Sequence, residues 1–113
     1  MERVIEYEKI IVDLLKEYAE KWDQTGDGVK SQIIVDTKGK HYQLVRIGWK
    51  DNVEYIHNCV FHFDIIGEKI WVQENRTDIL VAEELVKAGI ERNNIVLGLL
   101  PPSLRADSEY AIA

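Results

Sequence analysis

The side chains best suited to hold a metal or move a proton are His41, His57, His62 and Asp64. His62 and Asp64 lie two apart in a stretch that reads as a strand, so they share a face. Strand alternation places His57 on the opposite face from His62. The spacing matches no established metal motif, and the expectation is no metal, no cofactor and polar groups on a half-exposed sheet face. Asp64 and Glu74 fall on neighbouring strands as the nearest thing to an acid/base pair, and Glu83-Glu84 reads as a solvated helix face. Cys59 stands alone in the apolar run Cys59-Val60-Phe61, which reads as a small buried hydrophobe and rules out an intrachain disulfide. No Gly-x-Ser-x-Gly elbow is present, and Gly26 and Gly28 are not followed by the Lys-Ser/Thr of a phosphate-binding loop. No catalytic residue is assigned, and the chain is expected not to be an enzyme.

Trp22, Trp49 and Trp71 are three indoles in a small chain, and their bulk suits a core or an interface. Tyr42, Trp49 and Trp71 are the candidate partner contacts, expected as exposed aromatics on a sheet. Stacking on nucleic-acid bases needs accompanying positive charge, and Arg46, Lys50, Lys69 and Arg76 are the few candidates for it.

Composition sets the frame for these residues. The chain has 113 residues, 46% hydrophobic and 30% charged, which fits one globular domain over residues 1–113 with a core of its own. Its net charge is −6, and no segment is strongly basic, so the electrostatic footprint of a DNA binder is missing. The first six residues, Met1 to Glu6, are charged and contain no apolar leader core, and no apolar run is long enough to span a bilayer; the expected location is the cytosol.

The elements that position the candidates follow from periodicity. Tyr7, Ile10, Ile11, Leu14, Leu15, Tyr18 and Trp22 recur at helical steps, predicting a helix over 4–22 that stops at Thr25-Gly26-Asp27-Gly28. Ser31 to Thr37, Tyr42 to Trp49, Tyr55 to Ile65 and Lys69 to Glu74 read as four strands joined by short turns, and short connections force antiparallel pairing. Gly48 inside the second strand marks a bulge or a close backbone approach. Tyr42, Leu44, Val60 and Trp71 fall outside the main inward sets, so both sheet faces carry apolar residues, and a partner or the tail must cover one of them. A second helix follows, capped by Thr77 or Asp78 and ended by Gly89 with Ile90 packing back. Ile95 to Leu100 is a fifth strand or a buried extended segment, ended by Pro101-Pro102. Residues 103–109 read as a polar loop, and Tyr110 to Ala113 as a docking terminus. The fold class is α+β: an N-terminal helix, a four-stranded antiparallel meander, a second helix and an extended C-terminal tail.

Several stretches together carry a resemblance. They are His41-Tyr42-Gln43-Leu44 leading to Gly48-Trp49, and His62-Phe63-Asp64-Ile65 leading to Gly67-Glu68-Lys69-Ile70-Trp71-Val72-Gln73. Thr77-Asp78-Ile79, Glu84-Leu85-Val86, Ile95-Val96-Leu97-Gly98 with Pro101-Pro102, and the terminal Tyr110-Ala111-Ile112-Ala113 follow in order. In sequence and spacing they resemble the XisI family, the fdxN element excision controlling factors of cyanobacteria, over nearly the whole chain. The resemblance implies a role as accessory to a recombinase in programmed DNA excision during heterocyst development, beside a companion factor, XisH. It implies no catalytic residue set. Leu99-Leu100 follow Gly98 here, where the family often carries an aromatic residue or histidine.

The resulting expectation is a regulatory module that works by protein–protein contact, with an XisH-like companion, with a second copy of itself, or both. The alternatives are a direct DNA-binding accessory using Arg46, Lys50, Lys69 and Arg76, and a small ligand-binding protein or enzyme using the His62/Asp64 face.

Overall fold

The structure is a computed structural model and describes residues 2–113. Helix α1 spans Glu2–Asp23. Strands β1 (Val29–Asp36), β2 (His41–Lys50), β3 (Glu54–Ile66) and β4 (Lys69–Asn75) follow. Helix α2 (Val81–Lys87), a 3₁₀ turn at Arg92–Asn94, strand β5 (Ile95–Leu97) and the short helix α3 (Pro102–Arg105) complete the chain. No helix among the described residues is long and apolar enough to cross a membrane.

The sheet has five strands in the order β1-β2-β3-β4-β5, not four. The first four form the expected antiparallel meander, and β5 joins β4 in parallel. The chain from Arg76 to Asn94 is long enough, with α2 inside it, to cross over and return in the same direction, whereas the three hairpins are not. So the α+β class holds, and the all-antiparallel description is corrected to a mixed sheet. The free edge of β5 is closed by the terminus: the Ala111 amide donates to the Ile95 carbonyl at 2.8 Å, and Ala111 bridges Val96. An unpaired edge is a template for unwanted strands, and this covering removes it.

Helix α1 buries Tyr7, Ile11, Leu15, Tyr18 and Ala19. Burying one large apolar side chain is worth about 1.5–3 kcal/mol, against less than about 1 kcal/mol of intrinsic preference per ordinary residue. Packing of this stripe therefore decides where the helix sits. It faces Tyr42 and Leu44 of β2, Val60, Phe61, Phe63 and Ile65 of β3, and Ile70 and Val72 of β4. Tyr18, Trp22 and Phe61 cluster with ring centroids 5.4–5.8 Å apart, Trp22 stacking on both of the others.

Two β-bulges set which residues reach this core. Leu44 pairs with Phe61 but Val45 pairs with Cys59, so Val60 is one residue extra. Val60 and Phe61 are consequently both buried. Phe63 pairs with Val72 but His62 pairs with Glu74, which makes Gln73 the extra residue of β4. The first bulge reverses the alternation upstream of it, as a bulge must. The bulge thus brings Val60 onto the helix-covered face with Phe61 and Phe63, while Tyr42 and Leu44 share that face because they pair directly with Phe63 and Phe61. The expectation that they stand apart from the inward set is corrected.

Gly48 has φ 142°, and a Cβ there would sit 2.3 Å from the Gly28 carbonyl oxygen, which is the close approach the strand glycine suggested. Gly89 (φ 112°) ends α2 as expected. Its amide donates to the Val86 carbonyl and that of Ile90 to the Leu85 carbonyl, a Schellman motif with Ile90 buried behind it. The start of α2 differs from expectation. Neither Thr77 nor Asp78 caps it, and Leu80 is the N-cap without a side-chain bond. Thr77 is already engaged in a turn, its hydroxyl accepting from the Ile79 amide and donating to Asn75. Residues 103–109 are not all loop, since Pro102 occupies the first turn of α3, where a missing amide costs nothing.

Candidate functional site

The second sheet face is covered by no long helix, only in part by the short α3 and its neighbours. The C-terminal segment covers its β4–β5 side: the Arg105 guanidinium lies 5.1 Å from the Trp71 ring centroid, and Val96 is buried. Arg105 is held there by the carbonyls of Leu97, Gly98 and Leu100. The β1–β3 side of the same face stays open. At one end Trp49 and Tyr55 pair across strands with centroids 5.3 Å apart and are 56% and 52% exposed. Ile34, opposite Gln43 toward the other end of the face, is also exposed.

The three candidate contacts therefore part company. Trp49 is exposed on the open face. Trp71 is half-buried under Arg105. Tyr42 is 0% exposed, inside the core, with its hydroxyl donating to Glu8 of α1 at 2.5 Å. Tyr42 is corrected from a surface contact to a core residue, because β2 turns Tyr42 and Leu44, not Val45 and Trp49, toward α1. Tyr55 was missed; its register opposite Trp49 was the signal that only the pairing supplies.

At the other end of the open face lies a polar cluster. His41 Nδ1 and His62 Nε2 both donate to Asp64 Oδ1, at 2.7 and 2.8 Å. Gln73 Nε2 donates to Asp64 Oδ2 at 3.2 Å, and Gln43 Nε2 lies 3.4 Å from His62 Nδ1. Burial pushes the Asp64 carboxyl up, but hydrogen bonds from His41, His62 and Gln73 outweigh it and hold the group below the usual range. The bond to Asp64 lifts the His41 imidazole above its ordinary value. His41 was not grouped with His62 from the sequence; β2–β3 register places it directly opposite Asp64. His57 does lie on this face, contrary to expectation, because the bulge at Val60 reverses the alternation. It sits beside Tyr55, away from Asp64. Glu74 takes no part: it pairs with Arg76 at 3.5 Å.

The four basic candidates do not converge. Arg46 is on the helix side, paired with Asp23 at 2.6 Å and set over the Trp22 ring. Lys50 and Lys69 are at opposite ends of the sheet, opposite Glu54 and Ile66 respectively. Lys69 bonds the Ala113 carbonyl, and Arg76 holds Glu74. Burial raises the Cys59 thiol, which fits an unreactive side chain. A separate apolar cavity of about 360 Å³ lies between α2 and the C-terminal segment, walled by Ile79, Leu80, Leu97, Leu99 and Leu100. Glu83 at its rim is held near 2 by Arg92 and Tyr110.

The family model described as XisI protein matches residues 1–112. The chain belongs to the XisI family. A XisI-like protein from Anabaena variabilis superposes with a TM-score of 0.88 at 42% identity, covering 97% of this chain and 99% of its own. The fdxN element excision controlling factor XisI from the same organism superposes with a TM-score of 0.82 at 29% identity, over 98% of this chain and 99% of that one. No functionally curated protein matches the chain. As an XisI member it shares with these two structures the helix-backed mixed sheet on which the open face is built.

Proposed function

We propose that this XisI protein is a non-enzymatic accessory factor in the control of DNA-element excision, acting in the cytosol as one domain through protein contact. The observation that carries the reading is the open β1–β3 face with the exposed Trp49–Tyr55 pair. Exposed aromatics on an uncovered sheet face suit a protein partner. The net charge of −6 and the dispersal of Arg46, Lys50, Lys69 and Arg76 weigh against duplex DNA as the direct ligand. Membership of the XisI family, with an fdxN excision controlling factor among its structures, supports the process. The partner is an XisH-like companion.

The test is solution mass by light scattering, with the chain alone and mixed with the companion. A defined complex is expected, lost in Trp49→Asp while the melting temperature stays unchanged. A chain that ignores the companion, or a complex indifferent to Trp49→Asp, refutes the assigned surface. Self-association of the chain alone, abolished by the same substitution, identifies a second copy as the occupant instead.

A further inference from the structure

We propose that His41, His62 and Asp64 form a three-ligand site for one divalent transition-metal ion on the open sheet face. The geometry is the first support. The two ring nitrogens and the carboxylate oxygen lie within 4.8 Å of one another, with His–Asp edges of 2.7 and 2.8 Å. An ion about 2.1 Å from each ligand needs edges of about 3.0–3.4 Å for octahedral or tetrahedral placement. The two His–Asp edges must open by about 0.2–0.7 Å, and the His41–His62 edge, within 4.8 Å, must settle into the same range, which side-chain rotation supplies. All three ligands stand on paired central strands, where backbone hydrogen bonds fix their Cα positions.

Charge is the second support. The Asp64 side chain is only 13% exposed, and its ion-pair partners among the described residues are the two histidines, with no lysine or arginine. A half-buried carboxylate without a fixed cation is a natural cation seat. The outer shell is the third. Metal-binding histidines usually have their second nitrogen engaged, which sets the tautomer. The Gln43 side-chain amide stands 3.4 Å from His62 Nδ1 through Nε2, and turned over it presents Oε1 to accept the Nδ1–H of a metal-bound imidazole. The Asp36 carboxylate, with Oδ1 bonded by the amides of Lys38 and Gly39, lies on the Gly39 side of the His41 ring and adds negative charge near it without a direct hydrogen bond. Gln73 occupies the free oxygen of Asp64. Two imidazoles and one carboxylate favour Zn²⁺, Co²⁺, Ni²⁺ or Fe²⁺ over Mg²⁺ or Ca²⁺.

The site is independent of the partner reading. It is tested on the untagged full chain, stripped with chelator and titrated with Zn²⁺ by calorimetry and with Co²⁺ by visible absorbance. The expected result is one ion per chain, with affinity at least about tenfold weaker in His41→Ala, His62→Ala and Asp64→Asn and unchanged in His57→Ala. Circular dichroism checks each fold; His41 is exposed, so His41→Ala carries the test if Asp64→Asn does not fold. Absence of stoichiometric binding, Mg²⁺ bound as tightly as Zn²⁺, or Zn²⁺ binding undiminished in folded His41→Ala overturns the proposal.

Discussion

Replacing Tyr42 by Phe removes one hydroxyl and nothing else from the packed core. That hydroxyl is fully buried and donates to Glu8 of α1 at 2.5 Å, so it ties the first helix to the second strand. Burial, then the bond to Glu8, drives the Tyr42 phenol far above its ordinary value, so it remains the donor at any ordinary pH. A hydrogen bond to a charged group contributes about 1.5–3 kcal/mol. Glu8 is only half-buried and recovers water when the phenol goes, which places the loss near about 1.5–2 kcal/mol. At about 2.1 cal/mol/K of unfolding entropy per residue, a chain of this length loses about 4 °C per kcal/mol, so Tyr42→Phe lowers Tm by about 6–8 °C. Thermal unfolding followed by circular dichroism measures it, and a double-mutant cycle with Glu8→Ala isolates the pair. A Tm within about 1 °C of the parent, or a cycle with no coupling, refutes the assignment of Tyr42 to the helix–sheet bond.

Gly48→Ala forces a Cβ into the Gly28 carbonyl at a backbone angle that side chains avoid, and costs about 1–3 kcal/mol, read as a lower urea midpoint with unchanged slope. An unchanged midpoint would mean that β1 and β2 separate more easily than their register implies. The Glu83 carboxyl sits near 2 in the fold, against an ordinary value of 4.5, through Arg92 and then Tyr110. Its folded value is depressed, so its stabilisation is complete above the ordinary value and fades as pH falls from there toward about 2. Tm measured across that window should fall less steeply in Glu83→Gln than in the parent; parallel curves count against the Arg92–Glu83–Tyr110 link.

How much was legible divides along one line. The apolar stripe of α1 was readable because Tyr7, Ile11, Leu15 and Tyr18 repeat at the helix's own period. The four antiparallel strands were readable because the turns at Lys38-Gly39-Lys40, Asp51-Asn52 and Ile66-Gly67-Glu68 are too short for any other pairing. The Gly89–Ile90 stop was readable because a left-handed backbone angle has few alternatives to glycine. Helix α2 was harder: Thr77 looked like a cap but spends its hydroxyl on a turn with Asn75, and nothing in its residue type distinguishes the two uses.

Local chemistry, then, was settled by residue type and spacing: helix period, hairpin direction, helix stop and the absence of any nucleophile motif. Tertiary structure alone decided which side of each strand is inside. A bulge of one residue at Val60 reverses every position upstream, putting His57 on the same face as His62, while β2's orientation toward α1 takes Tyr42 into the core. The meeting of His41 with Asp64 depends on β2–β3 register, and the parallel addition of β5 on where the α2 crossover lands. Both are set by packing between residues far apart in the chain, which no local periodicity encodes.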